Sequence, residues 1–278
     1  MKKILIFISI LFFIACHNND NNNPEQANDT SNNAIANNSG IAAPQDININ
    51  IIAAYPHDTG SYTQGLEIYN GKLYEGTGDF ERSALQIDDL KTGKIEKKHV
   101  MGSTDIFGEG ITIFHDKIYQ LTWQSHFVNE YDVDNIDKPI KTFTWPYEGW
   151  GLTHDSVELI VSDGSANLYL VDPNDFKIKS TIQVTDNQGP VDQLNELEYV
   201  KGFVFANVYE TNYIVKIDLS NGHVVGKINV PGLLDQFAPN QTIPGRTDVL
   251  NGIAWDSTAQ KMYITGKRWP KLFEVTLN

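Results

Sequence analysis

The 278-residue chain contains a single cysteine, Cys16. An intramolecular disulfide is therefore impossible, and a thiolate metal cluster is excluded. Basic charge is scarce too: 21 Lys and Arg stand against 35 Asp and Glu, a formal net charge of −14. A surface of that sign repels nucleic acid and anionic lipid. No segment keeps a sustained 3.6-residue apolar period, so no long amphipathic helix is expected. The common catalytic signatures are missing: no P-loop, no GxGxxG after a strand, no HExxH and no GxSxG. Beyond residue 45 the histidines, at 57, 99, 115, 126, 154 and 223, fall at no metal-ligand spacing. His115 and His154 are expected in exposed inter-strand turns. The acidic stretch "DVDNIDK" lacks the glycine and the terminal glutamate of a calcium loop.

The chain opens with "MKKILIFISILFFIAC". Two lysines precede an apolar run too short to span a bilayer, which is the layout of a secretory signal. The stretch resembles a bacterial lipoprotein signal, in which the cysteine after Ala15 is lipidated and becomes the mature N-terminus. An ordinary cleaved signal with a stray cysteine is the alternative. The expected order is a signal over 1–16 ending at lipidated Cys16, then an Asn-rich linker over 17–45 with no apolar periodicity, then a folded domain over 46–278. The linker cannot bury enough surface to offset its ordering entropy. The protein is then exported and lipid-anchored in the bacterial cell envelope, in the periplasm or at the surface, and touches membrane only through that anchor.

From Asp46 onward the pattern is all-β, with short runs of Ile, Val, Tyr and Phe between Gly, Asn-Gly and Asp turns. One phrase recurs five times: "YTQGLEIY", "FGEGITIF", "GWGLTHD", "LNELEYV" and "LNGIAWD". Its aliphatic residues, Leu66, Ile111, Leu152, Leu197 and Ile253, are 41 to 56 residues apart. A period of that length with several strands per repeat predicts a five-bladed β-propeller. A generic β-sandwich explains the strands but not the recurring phrase. The last repeat stops after its third strand, so "INIIAAYP" (49–56) is expected to supply the missing outer strand and close the ring. The longest interval, Pro231 to Asp248, reads as a loop or lid over one face.

In a propeller the innermost strands line the central shaft, so equivalent residues form a ring. The residue before the phrase's glycine, or its equivalent, is Gln64, Glu109, Trp150, Asn195 and Asn251. A structural ring would repeat one residue type; this one mixes amides, an indole and a carboxyl, as a binding site would. The adjoining glycines are expected to let a ligand approach. Glu109 then faces an aromatic recess, where burial raises its pKa and makes it a proton shuttle. A solvated glutamate in a glycine-rich turn is the competing reading. Trp123, Tyr209 and Lys267 follow the second strands of their repeats and should gather at the same face. Packing aromatics and a solvated lysine remain the alternatives there.

The phrases "YTQGLE", "FGEGIT", "GWGLTHD", "LNELEYV", "ANVYETNYIVKID" and "VLNGIAWD…MYITGKRWPKLFEV" resemble the plant-type glutaminyl-peptide cyclotransferases, a family of five-bladed propellers. The resemblance runs from about Tyr55 to Val275. It implies conversion of the N-terminal glutamine of a peptide or protein to pyroglutamate, with release of ammonia and with no metal or other cofactor. It implies Glu109 as general acid/base, and Gln64, Asn195, Glu196 and Lys267 as substrate-holding groups. Phe107, Trp123 and Trp150 would form apolar walls, while Tyr62 and Tyr209 stand where relatives carry Phe and Trp. A closed propeller needs no partner, so a monomer is expected. A non-catalytic propeller binding peptides or glycans at the same face is the runner-up. A metal-dependent lactonase would need several carboxylates converging on the axis.

Overall fold

The computed structural model describes residues 40–102 and 104–278. Cys16, the signal segment and the linker as far as residue 39 lie outside the described residues. The first strand, β1 (Gln45–Ile47), begins at the last residue expected to be linker. It is followed by β2 (Ile49–Pro56). Three residues carry no readable period, so the pairing of β1 was invisible in the sequence.

The repeats fold into five sheets. The first holds β3 (Tyr62–Tyr69), β4 (Lys72–Gly78), β5 (Ala84–Asp88) and β6 (Ile95–Val100). The second holds β7 (Gly108–Phe114), β8 (Lys117–Thr122), β9 (Phe127–Asp132) and β10 (Lys141–Thr144). The third holds β11 (Leu152–His154), β12 (Leu159–Ser162), β13 (Asn167–Val171) and β14 (Ile178–Gln183). The fourth holds β15 (Leu194–Val200), β16 (Phe203–Val208), β17 (Tyr213–Asp218) and β18 (His223–Asn229), with β1 parallel to β18 as a fifth, outer strand. The fifth runs β19 (Leu250–Asp256), β20 (Lys261–Gly266), β21 (Lys271–Leu277) and then β2, antiparallel to β21 from Ile49↔Leu277 to Pro56↔Lys271. The outer strand of the last blade therefore comes from the start of the domain.

The five inner strands, β3, β7, β11, β15 and β19, touch neighbour to neighbour until β19 meets β3. Among the described residues, one apolar cluster fills each blade junction. Leu66 and Leu73 of blade one pack on Ala254, Tyr263 and Leu272 of blade five, which is the junction that completes the circle.

The glycines of the recurring phrase answer to the scaffold rather than to a ligand. A Cβ on Gly65 would lie 2.2 Å from the backbone nitrogen of Ile111, and one on Gly151 would lie 1.9 Å from the carbonyl oxygen of Asn195. Adjacent inner strands approach too closely for any side chain there. In blades one, two, four and five the inner-strand register slips beside this position, between Thr63 and Gly65, Gly108 and Ile111, Leu194 and Leu197, and Leu250 and Ile253. Such bulges re-aim a side chain locally. Here they turn the ring residues toward the shaft.

The long insertion ends beside blade one, where Asp248 accepts from the hydroxyl of Tyr62 at 3.0 Å. Its first part is a short helix, α1 (Leu233–Phe237), with Leu233 buried in the cluster between blades four and five and Phe237 edge-on to Phe273. Apolar residues at its start draw it into the core.

Candidate active site

One end of the shaft opens into a cavity of about 240 Å³ lined by Tyr62, Gln64, Phe107, Glu109, Trp123, Trp150, Asn195, Tyr209 and Lys267. That lies below the ~300–1,000 Å³ of most small-molecule sites, and suits one side chain more than a whole ligand. The floor is polar and buried: Gln64, Glu109, Asn195 and Lys267 are each at most 4% exposed. The walls are half-buried aromatics. Phe107 meets Tyr62 and Trp123 edge-to-face at 6.1 and 5.8 Å, and Trp150 meets Tyr209 at 5.6 Å.

A hydrogen-bonded chain crosses the floor. Lys267 Nζ donates to Gln64 Oε1 at 2.7 Å, and Gln64 Nε2 donates to Glu109 Oε1 at 3.2 Å. The lysine thus reaches the carboxyl through Gln64 rather than directly. Its ammonium also lies over the rings of Tyr62 and Tyr209, at 4.6 and 4.9 Å. Asn251, the fifth ring residue, sits behind the floor and donates to the carbonyl oxygen of Thr63 at 2.9 Å. Asn195 Oδ1 is buried with no hydrogen-bond partner among the described residues.

Burial sets the charges. It pushes the Glu109 carboxyl well above the usual range, against the pull of Lys267 and with help from the negative charge of Glu148. Burial also brings Lys267 down to about 8, although Glu109 and Asp248 favour its charged form. The floor therefore holds a carboxyl raised and an ammonium lowered from their ordinary proton affinities, both by burial.

Glu148 was not singled out by the sequence. Its Oε2 accepts the indole N–H of Trp123 at 2.7 Å and that of Trp150 at 3.0 Å, and its Oε1 accepts from Gln124 at 2.9 Å. Partial burial favours the neutral form, yet these donors carry the carboxyl below its usual range. A signal existed. Two residues before each ring position stand Tyr62, Phe107, Glu148, Gln193 and Val249, and the blade-equivalence argument applies there as well.

Glu196, expected beside Asn195 as a substrate-holding group, is a correction. It is fully buried and does not line the cavity. Occupying the place of the phrase's glycine, it reaches from blade four to accept the backbone N–H of Leu66 at 3.1 Å and of Ile253 at 2.8 Å. Further polar groups from the inner strands of blades one to four are linked near it. Glu67 accepts from Thr112 Oγ1 at 3.0 Å, Thr112 Oγ1 lies 2.8 Å from His154 Nδ1, and Glu198 feels the charges of Glu67 and Glu196. His154 is thus partly buried and partnered rather than exposed. Carboxyls do converge on the axis, but among the described residues no group of three or more His, Cys, Asp or Glu could hold a metal ion.

The profile of the glutamine cyclotransferase family matches residues 26–277. The chain belongs to the glutamine cyclotransferase family. It is 39% identical over 234 residues to the glutaminyl-peptide cyclotransferase of Arabidopsis thaliana, covering 82% of this chain and 71% of that protein. It also superposes on the crystal structure of Myxococcus xanthus glutaminyl cyclase with a TM-score of 0.77 at 32% identity, over 84% of this chain and 98% of the other. Four of the five ring positions of this cyclotransferase-family propeller, Gln64, Glu109, Trp150 and Asn195, line the cavity, so amides, a carboxyl and an indole meet there.

Proposed function

We propose that the protein cyclises N-terminal glutamine in peptides and proteins to pyroglutamate, releasing ammonia. The observation that carries this reading is the buried Glu109 carboxyl, its pKa raised, on the floor of an aromatic cavity sized for one side chain. Family membership supports the same reaction.

The reaction is intramolecular, so the entropy of bringing two molecules together is already saved. The aromatic walls hold the glutaminyl side chain folded back on its own α-amine and exclude water. The α-nitrogen attacks the side-chain amide carbon as the carbonyl π bond opens onto oxygen. Glu109 takes the proton that the attacking nitrogen sheds and gives it to the leaving nitrogen. The C–N bond breaks, the carbonyl re-forms, and ammonia departs from a five-membered lactam. A carboxyl whose proton affinity is raised by burial is a stronger base than an exposed one, and it can take the proton from one nitrogen and return it to the other. Lys267 and the Asn195 amide are the groups offered to the transient oxyanion, each donor worth about 3 kcal/mol. Gln64 fixes Glu109 by bonding one of its oxygens and leaves the other for substrate.

The expected setting is a monomer tethered to the envelope through lipidated Cys16. The layout of residues 1–16 supports that tether; loss of membrane fractionation in Cys16→Ser tests it.

A coupled ammonia assay on glutaminyl dipeptides tests the chemistry. Glu109→Gln is expected to fold, to bind substrate and to release ammonia at least about 100-fold more slowly, the lower bound for a lost general acid/base. Turnover near that of the unaltered protein would end the proposal, and binding without ammonia release by the unaltered protein would favour the binding-module reading.

A further inference from the structure

Blade equivalence extends outward from the cavity. The residue that follows the second strand of each blade is Asp79, Trp123, Asp163, Tyr209 and Lys267. Three of these line the cavity. One residue further along stand Phe80, Gln124, Gly164, Glu210 and Arg268, which form an outer rim. Four of them are polar or lack a side chain; the fifth is phenylalanine, and it is 46% exposed.

Phe80 is not stray apolar surface. Its ring centroid lies 5.1 Å from that of Phe107, edge-on, and 6.3 Å from that of Trp123. The aromatic wall therefore continues out of the cavity into solvent on this side. The backbone that presents it is fixed and strained. Asp79 has φ 143°, a left-handed-side conformation that side-chain-bearing residues rarely adopt. Its carbonyl oxygen accepts from Ser83 Oγ at 2.6 Å, and its Oδ2 accepts from Arg82 at 3.2 Å and Arg268 at 3.4 Å. Arg268 in turn lies over the Tyr62 ring at 5.0 Å. The turn is thus tied to two cavity walls at once.

We propose that Phe80 is the subsite for the residue that follows the N-terminal glutamine, and that it selects an apolar or aromatic side chain there. The inference rests on the cyclisation reading. With the glutaminyl group filling the cavity, the peptide bond must leave by the mouth and the second side chain must meet the rim. An apolar side chain gains there only by covering Phe80, because Gln124 and Glu210 are solvated polar groups and Arg268 is already engaged by Asp79 and the Tyr62 ring.

The test compares kcat/KM for ammonia release from Gln-Phe, Gln-Leu and Gln-Gly amides in the unaltered protein, Phe80→Ala and Phe80→Leu. The unaltered protein is expected to prefer Gln-Phe over Gln-Gly by roughly tenfold, the ratio for partly burying one aromatic side chain. Phe80→Ala should abolish that preference, through KM, while leaving Gln-Gly within about twofold; Phe80→Leu should restore most of it. A Phe80→Ala variant that loses all three substrates by one factor would overturn the proposal, since the ring would then only brace Phe107 and Trp123. So would a preference that survives the substitution. Absence of ammonia from every peptide with the unaltered protein would instead overturn the cyclisation reading itself.

Discussion

The Glu148 carboxylate accepts the indole N–H of Trp123 at 2.7 Å, and the same oxygen accepts that of Trp150 at 3.0 Å. One anion outside the cavity therefore orients two of its walls and, through space, raises the proton affinity of Glu109. Glu148→Gln offers a single carbonyl oxygen and no charge. The walls should loosen, raising KM several-fold. Removing the negative charge should also lower the pKa of Glu109, so the acidic limb of the pH–kcat profile should move to lower pH. A purely structural role would change KM and leave that limb in place.

The floor predicts a bell-shaped dependence of kcat on pH. Activity should rise as Glu109 ionises, at a pH above the usual carboxylate range because burial favours its neutral form. It should fall as Lys267 loses its proton near pH 8, the value to which burial brings it. Lys267→Arg keeps the charge at all accessible pH, so its descending limb should shift upward by more than one pH unit. Lys267→Met should lower kcat by roughly 100-fold, as expected for one lost oxyanion donor. An unmoved descending limb in Lys267→Arg would assign it to another group.

Glu196 joins blade four to the inner strands of blades one and five. Glu196→Ala leaves the N–H groups of Leu66 and Ile253 buried without partners, at about 1–3 kcal/mol each. Thermal unfolding should show a loss of roughly 2–5 kcal/mol. The KM of the folded fraction should stay near its original value, because the side chain does not line the cavity. A raised KM with unchanged stability would return Glu196 to the substrate site.

The buried Glu67 carboxyl makes stability depend on pH. Burial raises its pKa to about 7, while the unfolded chain holds it near 4.5. Between those values the folded state binds the extra proton, so stability falls as pH rises. The penalty is absent below about pH 4.5 and complete above about pH 7, and amounts to roughly 3 kcal/mol. Glu67→Gln removes the titration and can still accept from Thr112. Its melting temperature should exceed that of the unaltered protein at pH 8 and lose most of that advantage at pH 5. An equal difference at both pH values would exclude the linkage.

Much of the architecture was legible because it repeats. Leu66, Ile111, Leu152, Leu197 and Ile253 recur at a blade's length, and a ring places such equivalent residues around one axis. The cavity residues Gln64, Glu109, Trp150 and Asn195 followed from that geometry, as did Trp123, Tyr209 and Lys267 from the strand ends. The misreadings occur where a residue type is shared by two roles. Glycines at Gly65 and Gly151 look alike whether they admit a ligand or a neighbouring strand. Glu196 looks like a site carboxyl because nothing in one strand reveals which distant amides it meets.

By itself, then, the sequence determined five blades, their order, and the set of unlike groups turned toward the shaft, since periodicity and alternation are properties of the chain alone. Tertiary structure alone decided which carboxyl stands in the cavity and which is spent on backbone amides, and that Glu148 braces two indoles. It also decided how far Glu109 and Lys267 depart from their ordinary proton affinities. Those outcomes depend on distances between blades and on exclusion of water, and neither exists until the ring has closed.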